Sequence, residues 1–377
     1  MMKIGITGQN GFIGNHLYTT LSLDDTVELV NFERHFFEEE NALQTFVSSC
    51  DIIVHLAAMN RHEDQQVIYD TNVVLVTKLI DACEKTNSTP HIIFSSSTQE
   101  LKDNLYGKSK KEGKALLEKW ASQSNGKITS LTIPNVFGPF GKPNYNSFIA
   151  TFCYKLTHDE VPEVHVDSEV NLIYVNELVS AFIGVIKDNI KTNEFNNSCF
   201  EYIVPHTSSN KVSHILNLLK SFKDNYLMNG VFPSLEDPFE KALFNTYRCY
   251  VPEDHYPVLF QKHTDPRGSF VEIARTNTSG QFSFSTTVPG ITRGNHFHTR
   301  KAERFAVISG KALIQLRKIG TDEVIDYYLD GEHPAYVDMP IWYTHNIKNI
   351  GDTELVTLFW INEPYNAEDA DTYFENV

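Results

Sequence analysis

No window of about 18 uninterrupted apolar residues occurs in the sequence, which argues against a membrane-spanning helix. Positive charge is scarce: 32 Lys and Arg stand against 48 Asp and Glu, a formal net charge of −16. Phosphate-backbone binding needs clustered Lys and Arg, so no nucleic-acid partner is expected. Cysteine is thin as well. Cys50, Cys83, Cys153, Cys199 and Cys249 are scattered, odd in number and free of CxxC spacing, the pattern of free thiols in a reducing compartment. The chain opens on a strand-like MMKIGITG without a basic region and a long apolar stretch. No signal peptide is therefore expected, and the reading is a cytoplasmic protein with no membrane partner.

What is present describes an ordinary globular chain, 41% hydrophobic and 21% charged over 377 residues. That length exceeds what one hydrophobic core usually serves, so two domains are expected. In the first part, apolar runs at 3–8, 27–32, 51–56, 91–97 and 128–133 alternate with helical patterns, which predicts a doubly wound parallel sheet. Val212, Ile215, Leu216, Leu219 and Phe222 recur at helical spacing, and a further helix is predicted to begin at Asp237-Pro238. From about residue 252 the pattern changes to short alternating strands between turn signals such as PG at 289–290, SG at 309–310 and DG at 330–331. That is the signature of a barrel or sandwich. The division is placed at 1–245 and 246–377.

The first strand runs into Gly8-Gln-Asn-Gly11-Phe12-Ile13-Gly14 and then a helical pattern. Glycines at these places let the backbone turn tightly and approach a pyrophosphate, with the helix N-terminus supplying amide donors. After the second strand come Glu33 and Arg34. An acidic residue here suits the ribose 2′-hydroxyl of NAD and an Arg suits the 2′-phosphate of NADP; the reading favours NADP(H) with Arg34 on the phosphate, against a solvated surface Arg. Ala57 and Ala58 follow the third strand and are small enough for a flat ring to come close. Tyr106 and Lys110 are four apart and share a helix face, where a neighbouring ammonium together with the positive charge of an oxidised nicotinamide is expected to favour the phenolate.

In the second part, His296, His298 and Glu303 fall within eight residues and His345 follows in PIWYTHNIKN. Two residues apart on a strand, His296 and His298 point to the same face, and Glu303 can return on the next strand. Three imidazoles and a carboxylate form a divalent-metal set, with Zn²⁺ the default and Ni²⁺, Fe²⁺ or Mn²⁺ the alternatives.

These motifs carry family resemblances. The run from Gly290 to Gly310 is similar to the first motif of the cupin barrels. Pro340, His345 and Asn349 are similar to the second, with Trp342 where the family usually has Gly and Pro334 where the motif's opening Gly would be. Gly8-x-x-Gly11-x-x-Gly14, HLAA at 55–58, Ser95-Ser96-Ser97, Tyr106-x-x-x-Lys110 and Asn135-Val136-Phe137-Gly138-Pro139 follow the order of the extended short-chain dehydrogenase/reductases, which act largely on nucleotide sugars. The resemblance implies a Rossmann-type α/β domain followed by an all-β cupin, or jelly-roll, domain. It implies cofactor contacts at Gly8, Gly11, Phe12, Ile13, Gly14, Arg34, Leu56, Ala57, Ala58, Asn72, Tyr106 and Lys110, and catalysis by Ser97, Tyr106 and Lys110, with Ser96 as the alternative to Ser97. Asn135, Asn146 and Ser147 are implied substrate contacts, the last two equally readable as a helix cap. Asp265-Pro-Arg267-Gly-Ser-Phe270 resembles a stretch of the 4-keto-6-deoxyhexose 3,5-epimerases, which adds Arg267; in the metal-free members of that family the catalytic His falls at His296, so two roles compete there.

Nearly the whole chain is similar to a family of bifunctional enzymes of bacterial capsular polysaccharide synthesis. That likeness implies C3 epimerisation of a UDP-4-keto-6-deoxy-HexNAc by the cupin, NADPH-dependent reduction of its C4 ketone to UDP-2-acetamido-2,6-dideoxy-L-talose, and a homodimer. Tyr343 and Glu272 are candidates for the base at C3. Two rivals stay open: a single-function reductase with a structural cupin, and a non-catalytic NADP sensor.

Overall fold

The computed structural model describes all residues except 189–192, 197, 261–262, 266–267, 271–274, 277–280 and 364–367, with backbone alone for 193–196, 263–265, 268–270, 275–276 and 281–283. It divides into two compact units: 1–148 with 167–212, and 149–166 with 213–377. The boundary expected at 245/246 falls inside the second unit. The physical reason is that the helices preceding it bury their apolar and charged side chains with the barrel.

In the first unit the order is β1 (Met2–Thr7), α1 (Phe12–Leu21), β2 (Val27–Val30), α2 (Glu40–Ser48), β3 (Ile52–His55), α3 (Gln65–Thr86), β4 (His91–Ser97), α4 (Leu105–Ser124), β5 (Lys127–Ile133) and β6 (Asn135–Phe137). Past α5 (Phe148–Thr157), which belongs almost wholly to the second unit, come β7 (Glu169–Tyr174), α6 (Val175–Ile186), β8 (Asn193–Asn196), β9 (Cys199–Ile203) and β10 (Ser208–Lys211). The main sheet has the order β2-β1-β3-β4-β5-β9-β8. All neighbours run parallel except β8 on β9. Strands buried on both faces explain the near-continuous apolar runs. Ile53, Ile92 and Phe94 face α3 and α4 through Leu79, Leu117 and Trp120, whereas Ile4, Ile6, Ile93 and Leu131 face α1 and α6 through Leu17 and Phe182. The chain leaves β1 toward β2 and returns on the other side to β3, so strand order reverses between β1 and β3. Ligands of such sheets bind beyond the carboxyl ends of the strands at that reversal.

The second unit continues with α7 (Val212–Ser221), a π-helical stretch Phe222–Leu227, β11 (Val231–Phe232) and α8 (Pro238–Arg248). Asp237 caps α8 by accepting from Glu240 N, with Pro238 in the first turn, as the sequence predicts. The strands after it are β12 (Val258–Leu259), β13 (His263–Asp265), β14 (Gly268–Phe270), β15 (Arg275–Thr276), β16 (Gln281–Thr287), β17 (Thr292–Phe297), β18 (Glu303–Ser309), β19 (Lys311–Lys318), β20 (Val324–Asp330), β21 (Ala335–Met339), β22 (Tyr343–Asn349), β23 (Leu355–Ile361) and β24 (Tyr373–Phe374). Two antiparallel five-stranded sheets, β12-β21-β18-β23-β16 and β20-β19-β22-β17-β24, make up the barrel. Its interior is filled by alternate residues such as Val307, Ile314, Leu316, Val337, Met339 and Ile347. On the outer face of the first sheet, Arg304 and Asp338 are cross-strand partners. Both are buried there, Arg304 against Tyr226 and Phe232.

Trp342 takes up the left-handed backbone (φ 62°). Where the cupin motif would place a glycine, this chain reaches the same region of backbone space with a Trp. The indole is buried and stacks on Phe297 at 5.6 Å, which offsets the strain.

Candidate functional site

At the reversal point Thr7 and His55 end their strands side by side, with Thr7 Oγ1 hydrogen-bonded to His55 Nδ1 at 2.8 Å. Beyond them the backbone of the two loops meets. Leu56 N donates to Thr7 O at 3.1 Å and Ala57 N to Thr7 Oγ1 at 3.3 Å. A Cβ on Gly14 would stand 2.1 Å from Gly8 O, and Gly8 itself has φ +78°. Only glycine lets the loop fold onto α1 this closely. Gly11 is the N-cap and makes no side-chain bond, so first-turn amides of α1 are left for an anionic ligand. The cradle fits a pyrophosphate. Phe12 and Ile13 are half-buried in the first turn. Gln9 ties this loop to the end of β2, donating to Asn31 Oδ1 at 3.0 Å and accepting from Phe32 N at 3.3 Å. Arg34 is exposed on the short 3-10 helix that follows and makes no ion pair among the described residues.

The loop at 56–59 is braced by Asn72 on α3. Its Oδ1 accepts from Met59 N at 2.6 Å, and its Nδ2 donates to Met59 O at 2.9 Å and to Ser109 Oγ at 3.0 Å. Every polar atom of Asn72 is thus engaged in the protein, which gives it a bracing role beside Leu56, Ala57 and Ala58.

Lys110 is buried and donates to Ser95 O at 2.9 Å. Burial drops its pKa from 10.5 to about 8. Tyr106 shares its face as expected, with the ammonium 5.9 Å from the ring centroid. Without the positive ring of an oxidised cofactor, this setting favours the phenol. Burial, with a smaller contribution from Tyr145, pushes the phenol up to about 12, because the loss of water outweighs an ammonium already committed to a carbonyl. Ser96 donates to Glu100, whereas Ser97 Oγ accepts from Gln99 N at 3.2 Å. Ser97 therefore keeps its own proton to offer.

Asn135 is exposed and donates to Asn171 O at 3.4 Å. Asn146 is exposed and Ser147 half-buried in the loop before α5. That loop is anchored by a residue the sequence reading missed: Arg61 Nη1 donates to the carbonyls of Asn144 and Tyr145, each at 2.6 Å. No motif announces Arg61. Arg267 and Glu272 lie outside the described residues.

In the second unit His296, His298, Glu303 and His345 come together, their ligand atoms all within 4.8 Å of one another. His296 and His345 are direct cross-strand partners on β17 and β22, past a bulge at Gly294; Glu303 opens β18 in the other sheet. His298 Nδ1 donates to Asp371 O at 2.5 Å and His345 Nδ1 to Tyr343 O at 3.3 Å. A carbonyl only accepts, so in both neutral rings Nε2 carries a bare lone pair. Those two nitrogens face Glu303 Oε2 at 3.3 and 3.0 Å. All three atoms are buried without a hydrogen-bond partner. Electron-rich atoms converging in this way need a cation between them, and the donor set fits a divalent metal. Without one, protons take its place: burial disfavours a charged His298, but Glu303 outweighs that and raises its pKa, and burial with His345 and His298 lowers His296 to about 4. Asn349 holds the turn after β22, donating to Thr287 O and Thr353 O at 2.8 and 2.9 Å. Tyr343 packs against the barrel core, where burial pushes its phenol upward.

Residues 4–197 match the NAD dependent epimerase/dehydratase family, and residues 263–373 match the polysaccharide biosynthesis C-terminal domain. The chain belongs to the NAD dependent epimerase/dehydratase family. It is 33% identical over 373 residues to the UDP-2-acetamido-2,6-beta-L-arabino-hexul-4-ose reductase of Pseudomonas aeruginosa, covering 99% of this chain and 98% of that protein. The crystal structure of the capsular polysaccharide assembling protein CapF from Staphylococcus aureus is similar over 100% of both chains, at 36% identity and a TM-score of 0.62. The spore coat polysaccharide biosynthesis protein SpsL of Bacillus subtilis is 27% identical over 120 residues, covering 29% of this chain and 80% of that protein. The full-length likeness to CapF bears out the resemblance read from the motifs, and with it the Rossmann-type sheet followed by an antiparallel barrel. As a member of the epimerase/dehydratase family, this is an NAD(P)-dependent enzyme of the oxidoreductase and epimerase type. No helix among the described residues is long and apolar enough to cross a membrane.

Proposed function

We propose that the protein is a bifunctional, cytoplasmic, homodimeric enzyme of capsular polysaccharide synthesis. Its barrel epimerises C3 of a UDP-4-keto-6-deoxy-HexNAc, and its first unit then reduces the C4 ketone to UDP-2-acetamido-2,6-dideoxy-L-talose, a precursor of UDP-N-acetyl-L-fucosamine. The observation that carries the reading is the match along 99% of the chain to a reductase whose name specifies a UDP-linked 2-acetamido hexul-4-ose.

NADPH bound in the cradle supplies the hydride, with Arg34 the candidate partner of its 2′-phosphate. Tyr106, held near 12 by burial, enters the reaction protonated and gives its proton to the ketone oxygen as that oxygen becomes an alkoxide. Ser97 offers a second hydrogen bond to the same oxygen; Ser96 is spent on Glu100. Lys110 supplies a positive charge that stabilises the phenolate this transfer leaves on Tyr106, which takes its proton back from water between turnovers. His296, His298, Glu303 and His345 would hold a divalent metal, Zn²⁺ by default, which can polarise a carbonyl. A C3 proton is acidic only while C4 is a ketone, since the carbanion then delocalises as an enolate. Epimerisation must therefore precede reduction.

A second reading, a reductase with a metal-stabilised barrel, is favoured by the relative's name, which mentions reduction alone. One experiment separates the two. In D₂O, with the UDP-4-keto-6-deoxy sugar and no NADPH, NMR should show deuterium entering C3, and replacing His296 and His298 in a folded variant should stop it. Tyr106→Phe should cut NADPH oxidation by a factor of about 10² or more while sparing exchange. Absence of exchange in the wild-type protein, with NADPH oxidation intact, would leave the second reading.

A further inference from the structure

The turn between His298 and Glu303 joins two members of the metal cluster, and its backbone is held from a distance of some 70 residues in sequence. Asp371 Oδ1 accepts from Thr299 N at 3.1 Å and Thr299 Oγ1 at 2.6 Å; its Oδ2 accepts from Arg300 N and Lys301 N, each at 3.0 Å. Three successive amides thus close on one carboxylate, as they would on a bound anion. The carbonyl of the same residue takes the Nδ1 proton of His298 at 2.5 Å. Asp371 is 5% exposed and has φ 44°, the left-handed region that side chains other than glycine rarely adopt. That conformation is what lets one residue aim both its carboxylate and its carbonyl at the same turn. The segment around it is anchored on either side: Arg300 pairs with Asp369 Oδ2 at 2.6 Å, Lys301 Nζ donates to Ala370 O at 2.6 Å, and β24 pairs with β17 so that Phe374 stands opposite His296.

We propose that Asp371 is the positioning residue of the metal centre. Its carbonyl fixes the tautomer and direction of His298, and its carboxylate fixes the turn that delivers Glu303 to the same metal. Outer hydrogen-bond partners of metal-bound imidazoles act in this way, and their loss typically weakens metal binding 10- to 100-fold. The proposal rests on the reading of the four residues as a metal centre.

The test is a thermodynamic cycle on the full chain, reading Zn²⁺ affinity by chelator competition and the visible absorption of the Co²⁺-loaded protein. Asp371→Ala should raise the Zn²⁺ dissociation constant roughly 10- to 100-fold and change the Co²⁺ spectrum. Asp371→Asn, which keeps the size but turns an amide donor toward the turn's own amides, should do the same to a smaller degree and serves if the Ala variant does not fold. His298→Ala combined with Asp371→Ala should bind more weakly than His298→Ala alone by a smaller factor than Asp371→Ala costs in the wild-type chain, because the path through His298 is gone and only the one through the turn to Glu303 is left. Wild-type affinity in both Asp371 variants, or penalties that multiply in the double variant, would overturn the proposal. Failure of the wild-type chain to bind Zn²⁺ or Co²⁺ at all would overturn the metal centre and the proposal together, an outcome distinct from failure of Asp371 alone.

Discussion

Lys110→Met should make the protein without cofactor more stable while removing its capacity to reduce a ketone. The ammonium is 4% exposed and burial holds its pKa at about 8 instead of 10.5, a penalty on the charged form of about 3 kcal/mol at neutral pH. Methionine has similar bulk and no charge. Against the gain stands the bond to Ser95 O, whose loss costs about 1–2 kcal/mol. The variant should therefore gain about 1–2 kcal/mol at pH 7. The sign with pH follows from proton binding. Between about 8 and 10.5 the unfolded wild-type chain holds more protons than the folded one, so wild-type stability rises through that window and the penalty, fully present below it, is gone above it. By pH 10 the advantage of the variant should have shrunk by about 2–3 kcal/mol and reversed. The chain has three Trp, and with Trp342 and Trp360 replaced by Phe, Trp120 in the core of the first unit reports its urea unfolding alone. A stability difference that is the same at pH 7 and pH 10 would refute the reasoning, since packing terms are independent of pH and the ammonium term is not.

Arg34→Glu should raise KM for NADPH at least tenfold and leave KM for NADH within about twofold, because only the 2′-phosphate distinguishes the two and one charge-assisted pair is worth about 1.5–3 kcal/mol; equal changes for both cofactors would place the phosphate elsewhere. Asp338→Asn should destabilise the second unit by about 3–5 kcal/mol. It removes the carboxylate that Arg304 binds at 2.7 Å and that Arg248 and Tyr256 also share, and Arg304→Met and Arg248→Met together with Asp338→Leu, which leave no buried charge unpaired, should recover most of the loss in urea unfolding followed by Trp360. No recovery in the triple variant would show that the charged cluster itself is favourable, not merely costly to break.

The parts of the site that were legible in the sequence are those where chemistry and local backbone coincide. Gly8, Gly11 and Gly14 sit between a strand and a helix, Tyr106 and Lys110 share one helix turn, and His296 and His298 are two residues apart at the end of β17; in each case spacing alone brings the residues together, whereas His345 joins them through the pairing of β22 with β17. Asp371 was not legible. It reaches the turn at 299–301 by tertiary pairing of β24 with β17, and nothing in its neighbourhood marks it. Arg248 and Arg304 gave no signal for a related reason. A charged residue in a helix or on the alternate face of a strand ordinarily faces water, yet both are buried around Asp338, and that buried knot is why the residues from 213 to 250 belong with the barrel. The change in pattern at 252 marks where helices give way to strands, which is a different thing from where one core ends.

The direction of the Tyr106 shift bears on the protonation state in which the first unit starts. Sequence reasoning can place an ammonium near a phenol, but it cannot weigh that charge against lost water. Here burial acts on both members, raising Tyr106 to about 12 and lowering Lys110 to about 8, so each is pushed toward its neutral form. To oxidise an alcohol, the site must begin with a phenolate, and at pH 7 forming one from a phenol near 12 costs about 7 kcal/mol. The positive ring of an oxidised cofactor recovers part of that, as does a charged Lys110. To reduce a ketone, the site must begin with a phenol, which burial already supplies at no cost. The same desolvation that is adverse for a general base leaves Tyr106 protonated for the general-acid role; it sets the protonation state from which the site starts, while the direction of the overall reaction is set by the reactants.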